Sequence, residues 1–256
     1  MSASAAMLFF AMAAVGYTVT GIVGFGANLL MMPILSMVFP LEQLVLIFSL
    51  ISFVNAIYRV YENRKGIIGH VLLPTIVTSL LGTTLGMWIF QILPEVRLKL
   101  LLGAFVLIMA LYNLAGYWHT SDIKRLRPSR MRRLFYDVIL FGAGFFQGSF
   151  VCGGPLYGIY CSHHYGNDKI CYRGMNFALI STNSILLVIL NGQQGLYSCN
   201  LILPTALGLC GLIIAILVSR ILMRHLKERT FYFLIQVVLL VSGVNLIIQS
   251  LDKFII

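Results

Sequence analysis

Charged side chains are scarce in this chain: Asp, Glu, Lys and Arg together make up 10% of its 256 residues, against about 25% in soluble domains. Hydrophobic residues make up 59%. Uncharged stretches long enough for the roughly 20 residues of a membrane-spanning helix recur along the whole sequence. We therefore predict an all-α polytopic membrane protein with hardly any chain left for a soluble domain.

Patterns typical of disulfide frameworks, metal centres and catalytic sites are also missing. The five cysteines form no C-x-x-C pair and show no metal-ligand spacing with histidine. The H-E-x-x-H motif is absent, and the five histidines lie near predicted helix ends. We therefore predict no catalytic residue, no metal site and no cofactor, and an intramembrane enzyme is the least favoured function.

Positive charge exceeds negative charge by 10, and the 18 Lys and Arg residues are spread over the predicted loops. Their densest group lies between 124 and 133. Lys and Arg accumulate in the cytoplasmic loops of membrane proteins, where they contact anionic lipid. We therefore expect a basic cytoplasmic loop at 119–133 in an integral protein of the bacterial inner membrane, and no nucleic-acid partner.

The basic loops also orient the helices. Two triplets of predicted helices have opposite orientations; they lie at 41–58, 67–92 and 97–117 and at 174–190, 200–219 and 230–250. The remaining segments, 3–39 and 134–165, must each begin and end on one side of the membrane, the first outside and the second inside. Each is therefore predicted to be a helical hairpin, either re-entrant or spanning the membrane twice.

Each predicted hairpin turns at a glycine-rich motif, GIVGFGAN at 21–28 and GSFVCGGP at 148–155, and the two lie 127 residues apart. Further matches have offsets of 128, 130 and 132; they pair Asn55 with Asn183, Pro74 with Pro204 and Asn113 with Asn245. Matching breaks in two halves are typical of inverted-repeat transporters. We predict two such repeats, 1–118 and 134–256, each a hairpin plus three transmembrane helices, with eight to ten membrane segments in total.

The hairpin tips are the predicted binding site. An anion in a membrane cavity needs donors, and free backbone amides at a helix N-terminus supply them together with a favourable helix dipole. Glycine lets such amides approach a ligand closely. We expect the tips to face each other near the bilayer midplane; the predicted backbone donors are Gly24, Gly26, Ala27, Asn28, Cys152, Gly153 and Gly154.

Buried polar side chains could supplement these amides, because a polar group at membrane depth is costly unless it is paired. The candidates are Asn28, Asn55, Gln147, Ser149 and Asn183. For Asn55 and Asn183 the alternative is a brace on the loose backbone of a hairpin. For the glycines it is close helix packing, which suits Gly82 and Gly86, or Gly142 and Gly144, better than it suits the two motifs.

The motifs resemble those of the sulfite exporter TauE/SafE family, also called toluene sulfonate uptake permeases. GIVGFGANLLMMP at 21–33 and GSFVCGGP at 148–155 follow the family's glycine pattern. The resemblance implies a transporter of small anions, especially sulfite and organosulfonates, and not an enzyme. Arg173 resembles an arginine found in part of the family and is a candidate for guiding anions. Departures from the family pattern lie at Ala27, Asn28, Val151 and Cys152.

Several alternatives stay open on the sequence. A soft-metal transporter would use Met31, Met32 and Cys152, although Met at this density is ordinary apolar filler. The eight acidic residues fall at predicted helix ends or in loops, so no proton relay through the membrane is visible. The identity of the anion, the direction of transport, the coupling ion and a homodimeric state are not fixed by the sequence.

Overall fold

A computed structural model describes residues 3–118, 130–165, 168–222 and 228–255. Within these ranges the chain is helical and contains no strand. The helices are α1 (Ala3–Val23), α2 (Ala27–Leu35), α3 (Leu41–Glu62), α4 (Gly69–Ile92), α5 (Glu95–Trp118), α6 (Arg130–Phe150), α7 (Gly154–Tyr165), α8 (Lys169–Gln193), α9 (Ile202–Leu222) and α10 (Glu228–Ile255), with short 3₁₀ turns at Arg64–Gly66 and Cys199–Leu201. Residues 119–129 of the predicted basic loop lie outside the described residues, and 130–133 begin α6.

The prediction of an all-α polytopic membrane protein is confirmed. Five helices among the described residues are long and apolar enough to cross a membrane, and two shorter apolar helices accompany them. Large apolar side chains also lie exposed along single helix faces, as at Leu73, Val77, Leu81 and Trp88 of α4. An exposed apolar stripe of this kind suits contact with lipid tails.

The six predicted long helices are all present, but α8 starts earlier than predicted. This helix begins at Lys169, five residues before the predicted start, because Asp168 caps it. The Asp168 carboxylate accepts the N–H groups of Ile170 at 2.9 Å and Cys171 at 3.1 Å, which satisfies donors that a helix N-terminus leaves unpaired. The backbone N–H of Cys171, followed by the Cys171 side chain and the N–H of Ile170, holds the pKa of Asp168 below its ordinary value.

The helices group into two compact units, and each unit contains one hairpin. Unit 1 holds α1, α2, α5, α10 and most of α9; unit 2 holds α4, α6, α7, α8 and most of α3. Both units therefore combine helices from the two predicted repeats. The division into repeats at 1–118 and 134–256 stays a prediction.

Close helix crossings in unit 1 depend on glycine. Gly211 of α9 lies so near α1 that an added Cβ would come within 2.9 Å of the Ala13 Cβ and 3.0 Å of the Ala14 nitrogen. Gly103 of α5 faces Ile247 of α10 in the same way, with 2.7 Å to its Cγ1. Small residues at such crossings let helix backbones approach where no hydrophobic effect drives association.

Both predicted hairpins fold back on themselves. In the first, the rings of Phe9 and Phe39 meet edge to face with centroids 5.9 Å apart, so the two ends of the hairpin lie together. In the second, Tyr136 stacks on His163 with centroids 4.0 Å apart. The return arms α2 and α7 have 9 and 12 residues, which corresponds to about 14 and 18 Å, roughly half the hydrocarbon core.

Candidate functional site

The tip of the first hairpin is a three-residue break between α1 and α2. Gly24 has φ 98° and Gly26 has φ 108°, a left-handed backbone that residues with a Cβ adopt only at a cost. At Gly26 an added Cβ would meet no atom closer than 3.9 Å. The turn itself, and not helix packing, therefore requires glycine at this position.

Thr20, the residue directly before the first motif, ties this tip together. Its hydroxyl oxygen accepts the N–H of Ala27 at 2.8 Å, and its carbonyl accepts the N–H of Gly24 at 2.9 Å. In the first turn of α2, the N–H of Leu30 donates to the Gly26 carbonyl at 3.0 Å. The N–H groups of Gly26 and Leu29 have no hydrogen-bond partner within the described ranges.

The side chains of the return arm α2 are packed into unit 1. Asn28 is 8% exposed, and its Oδ1 accepts the Tyr17 hydroxyl at 3.3 Å. Met31 and Met32 are fully buried, and Met31 fills the space beside Gly16, where an added Cβ would come within 2.7 Å of its Sδ. The two methionines thus behave as apolar filler.

The tip of the second hairpin breaks the helix between Phe150 and Gly154. Val151 has φ 56° and is the one described non-glycine residue with a positive φ. A β-branched residue in this conformation is an outlier, because its Cβ crowds the following carbonyl. Val151 stands 127 residues after Gly24, and both residues have a positive φ.

Gln147 braces this second tip. Its Oε1 accepts the N–H of Gly153 at 3.0 Å, and its Nε2 donates to the Ser184 hydroxyl at 3.3 Å. The N–H of Cys152 donates to the Phe146 carbonyl at 3.2 Å. The N–H groups of Cys152 and Gly153, two of the predicted anion donors, therefore form hydrogen bonds within the hairpin.

Two amides at the start of α7 stay available. The N–H groups of Gly154 and Leu156 have no partner in the described part of the chain, and Pro155 between them has no N–H. The Cys152 thiol donates to the Phe150 carbonyl at 3.1 Å and is 2% exposed. Its sulfur is thus engaged with its own backbone.

Both hairpin tips lie within the part of the chain that matches a known protein family. The model of the sulfite exporter TauE/SafE family matches residues 8–246, which include both tips and all but the ends of the chain. The chain belongs to this family. The TauE/SafE proteins are membrane transporters of the sulfite-exporter type and not enzymes. Searches of curated proteins and of solved structures returned no match.

In this TauE/SafE protein, a tight crossing of α4 and α6 supports the second hairpin. A Cβ on Gly82 or Gly86 of α4 would collide with the carbonyls of Phe141 and Phe145, and a Cβ on Gly144 or Gly148 of α6 with those of Ser79 and Thr83. Packing, as predicted for Gly82, Gly86 and Gly144, thus explains this set. Gly148 opens the second motif but also serves the crossing, whereas Gly142 meets only the Leu156 side chain, at 3.9 Å.

Ser149 and Asn183 take part in the same crossing. The Ser149 hydroxyl donates to the Gly86 carbonyl at 2.9 Å. Asn183 is fully buried; its Nδ2 donates to the Ser79 hydroxyl at 2.6 Å and its Oδ1 accepts the Thr83 hydroxyl at 2.6 Å. Asn183 therefore braces α8 against α4, and both ends of its amide are occupied.

Asn55 and Arg173 lie outside this crossing, in α3 and α8. Asn55 is 6% exposed, and its Oδ1 is buried without a partner in the described part of the chain. Arg173 is half-buried near the start of α8. Its neighbour Gly174 packs closely on the end of α3, where an added Cβ would lie 2.9 Å from the Asn63 carbonyl oxygen.

Sequence reasoning missed Thr20 and the burial of Arg59. Thr20 could have been found, because it precedes the first motif as Gln147 precedes the second. Arg59 follows the predicted helix 41–58 and was counted with the basic residues of the loops, but it is 5% exposed. No group of three or more His, Cys, Asp or Glu residues in the described part of the chain is placed to hold a metal ion.

Proposed function

We propose that this TauE/SafE protein exports a small sulfur oxyanion, sulfite or an organosulfonate, which binds between the two hairpin tips near the bilayer midplane. The observation that carries the proposal is a pair of backbone amides in each tip that have no partner within the described residues: Gly26 and Leu29 in the first tip, Gly154 and Leu156 in the second. Amides at a helix N-terminus suit an anion, since the helix dipole adds a favourable field.

An inverted repeat would bring equivalent groups to both sides of the anion. Three features of the tips share the offset of 127 residues: the bracing side chains Thr20 and Gln147, the positive-φ residues Gly24 and Val151, and the open amides of Leu29 and Leu156. Independent evolution of three matched features is less economical than duplication of one hairpin. These matches support two repeats and one binding site per chain, so that a homodimer is not required.

The proposed donor set differs from the one expected from the glycine pattern. Gly153, Cys152, Ala27 and Gly24 position the tips through their internal hydrogen bonds, and Gly26 and Gly154 remain as donors. Asn28 and Asn55 are the polar side chains that we propose to supplement them. Arg173 is proposed to attract anions to the cytoplasmic side.

Export follows from the charge of the substrate. We propose that the protein lies in a bacterial inner membrane and that its basic loops face the cytoplasm, which is the electrically negative side. Moving one negative charge outward then gains about 2.3 kcal/mol per 100 mV. The proposed anion flow requires no carboxylate relay within the membrane.

The decisive experiment measures anion flux in proteoliposomes that hold purified protein, with a potassium diffusion potential of either sign. The panel is sulfite, sulfate, thiosulfate, sulfoacetate, taurine and acetate. We expect flux of sulfite or an organosulfonate that increases when the potential drives negative charge out of the side bearing the basic loops. Absence of flux for every sulfur compound in the panel would refute the proposal.

The donor role of the second tip is tested at Gly154. Replacing Gly154 with Pro removes the N–H at the first helical position, where proline is well accommodated, and Gly154→Ala adds a Cβ but keeps the N–H. Loss of a hydrogen bond to a charged group, about 1.5–3 kcal/mol, predicts flux through Gly154→Pro at least about tenfold below that of Gly154→Ala. Equal flux in the two variants would exclude this amide as a donor. Gly153 is unsuitable for the test, because an added Cβ would collide with the Ala143 carbonyl.

A further inference from the structure

Arg59 lies in the last turn of α3 and is almost entirely buried, at 5% exposure. One of its nitrogens, Nη1, donates to Glu62 Oε2 at 2.9 Å. The other two, Nε and Nη2, are buried and have no hydrogen-bond partner among the residues that the structure describes. A guanidinium is always charged, so two buried N–H groups without an acceptor carry a large desolvation cost.

The unpaired edge of Arg59 has a specific shape. The N–H bonds of Nε and Nη2 run side by side, and together they form the fork that pairs with two oxygens of one carboxylate, sulfonate or phosphate group. A spherical anion cannot use both bonds equally well. The Glu62 contact at Nη1 leaves this fork intact.

Asn55 lies one helical turn before Arg59, on the same face of α3. It is also buried, and its Oδ1 has no partner among the described residues. This oxygen is an acceptor and cannot bind an oxyanion, so the anion site rests on Arg59 alone. An Arg59–Glu62 contact that leaves two of the three guanidinium nitrogens unmatched indicates a binding site more readily than a structural ion pair, in which every group would be matched.

A basic cleft adjoins the Arg59–Glu62 contact. It has a volume of about 390 Å³ and is lined by Glu62, Arg64, Lys65 and Ile170, among others. Glu62 belongs to both places, because it lines the cleft and holds Arg59. Exposed Arg64 and Lys65 raise the local concentration of anions at the cleft, and Glu62 connects the cleft to Arg59.

We propose that Arg59 binds the transported oxyanion through Nε and Nη2, as an entry site that precedes the hairpin tips. This inference rests on the proposed transport of sulfur oxyanions. It adds a residue in α3 that the glycine motifs do not indicate. The ligand is a small free oxyanion with at least two oxygens on one atom.

The test measures binding and flux separately on the full-length protein. Isothermal titration in lipid-free detergent uses sulfite under nitrogen, methanesulfonate and chloride as probes. We expect the oxyanions to bind more tightly than chloride, and Arg59→Lys to weaken methanesulfonate binding about tenfold or more, because Lys offers a point charge and no fork. Arg97→Lys, the same change at an exposed position in the first turn of α5, is the matched control and should bind as the wild type does.

Two further measurements do not depend on the stability of the Arg59 variant. Glu62→Gln removes a negative charge beside the site at a partly exposed position, and we expect about threefold to tenfold tighter methanesulfonate binding from the loss of Coulomb repulsion. In ¹⁵N-arginine-labelled wild-type protein, methanesulfonate should shift one Nε–H resonance, and that resonance should move without added anion in Glu62→Gln.

The outcomes separate this inference from the proposed function. Wild-type binding in Arg59→Lys together with unchanged affinity in Glu62→Gln would overturn the Arg59 site, even where sulfite flux persists. Binding only after anionic phosphatidylglycerol is added would overturn it as well, since a lipid headgroup would then be the ligand. Arg59-dependent oxyanion binding without any flux would instead refute the proposed transport and leave the site standing.

Discussion

Replacing Thr20 with Val tests whether the first tip is held together by one side-chain acceptor. Val has nearly the shape of Thr but cannot accept a hydrogen bond, so the buried N–H of Ala27 loses its partner at 2.8 Å. An unsatisfied buried donor costs about 1–3 kcal/mol. At about 2–4 °C per kcal/mol for a protein of this size, the melting temperature should fall by about 4–8 °C for a loss of 2 kcal/mol.

Thr18 provides a matched control two residues away in the same helix. Its hydroxyl donates to the Ala14 carbonyl at 2.7 Å, a group that the helix also occupies, so Thr18→Val strands no buried donor. The two residues are similarly buried, at 9% and 5% exposure. We therefore expect Thr18→Val to change the melting temperature by no more than about 2 °C, which corresponds to about 0.5 kcal/mol.

Thermal unfolding of the detergent-solubilised variants, followed by intrinsic fluorescence at one scan rate, provides the measurement. Thr20→Ser keeps the acceptor and should recover most of the stability lost in Thr20→Val. Equal shifts in Thr20→Val and Thr18→Val would show that the hydroxyl of Thr20 has no special role, and the account of the tip would then be wrong.

Three other predictions concern unit 2. Val151 has a φ of 56°, a left-handed backbone that costs glycine nothing, so Val151→Gly should be at least as stable as Val151→Ala. At ordinary helix positions Gly costs about 1 kcal/mol relative to Ala. A melting temperature clearly lower for Val151→Gly than for Val151→Ala would contradict the left-handed backbone. Gly144→Ala should destabilise the protein, because its Cβ would collide with the Ser79 carbonyl, whereas Gly142→Ala has room and should be neutral or stabilising; similar melting temperatures would disprove the crossing. The pKa of Asp168 is lowered in the folded state, so its stabilising effect is present above the unfolded pKa of about 3.9 and disappears as the pH falls through the folded value. The stability advantage of the wild type over Asp168→Asn should therefore vanish in acid. A stability difference that stays constant from pH 7 to pH 3 would contradict this prediction.

The helices and the two breaks were predictable from the sequence because their causes are local. Apolar length and glycine spacing indicate where a helix runs and where it stops, and all six long helices and both folded-back hairpins were confirmed as helical elements. Which of these helices cross the membrane stays a prediction. The early start of α8 at Lys169 also has a local cause, the Asp168 cap, but the predicted start was placed at the end of the charged segment.

The hydrogen bonds and close packing of the tips could not be predicted, because they depend on contacts between distant parts of the chain. Nothing local distinguishes Gly142 from Gly144; only the approach of α4 does so. The N–H groups of Cys152 and Gly153 were expected to donate to an anion, but they donate to Phe146 and Gln147. The sequence does not show these two contacts. The burial of Arg59 likewise depends on the way the end of α3 packs, while its position near a basic loop suggested solvent.

The glycine crossing of α4 and α6 fixes the distance between these two helices, which can serve as an internal reference in spectroscopy. Backbones that exclude even a methyl group cannot slide past each other without separating, so the two helices should move as one rod during transport. Spin labels attached at Leu81→Cys and Val138→Cys, both on exposed helix faces, would report a distance that stays the same with and without sulfite. Any change measured from either label to another part of the protein could then be assigned to that other part.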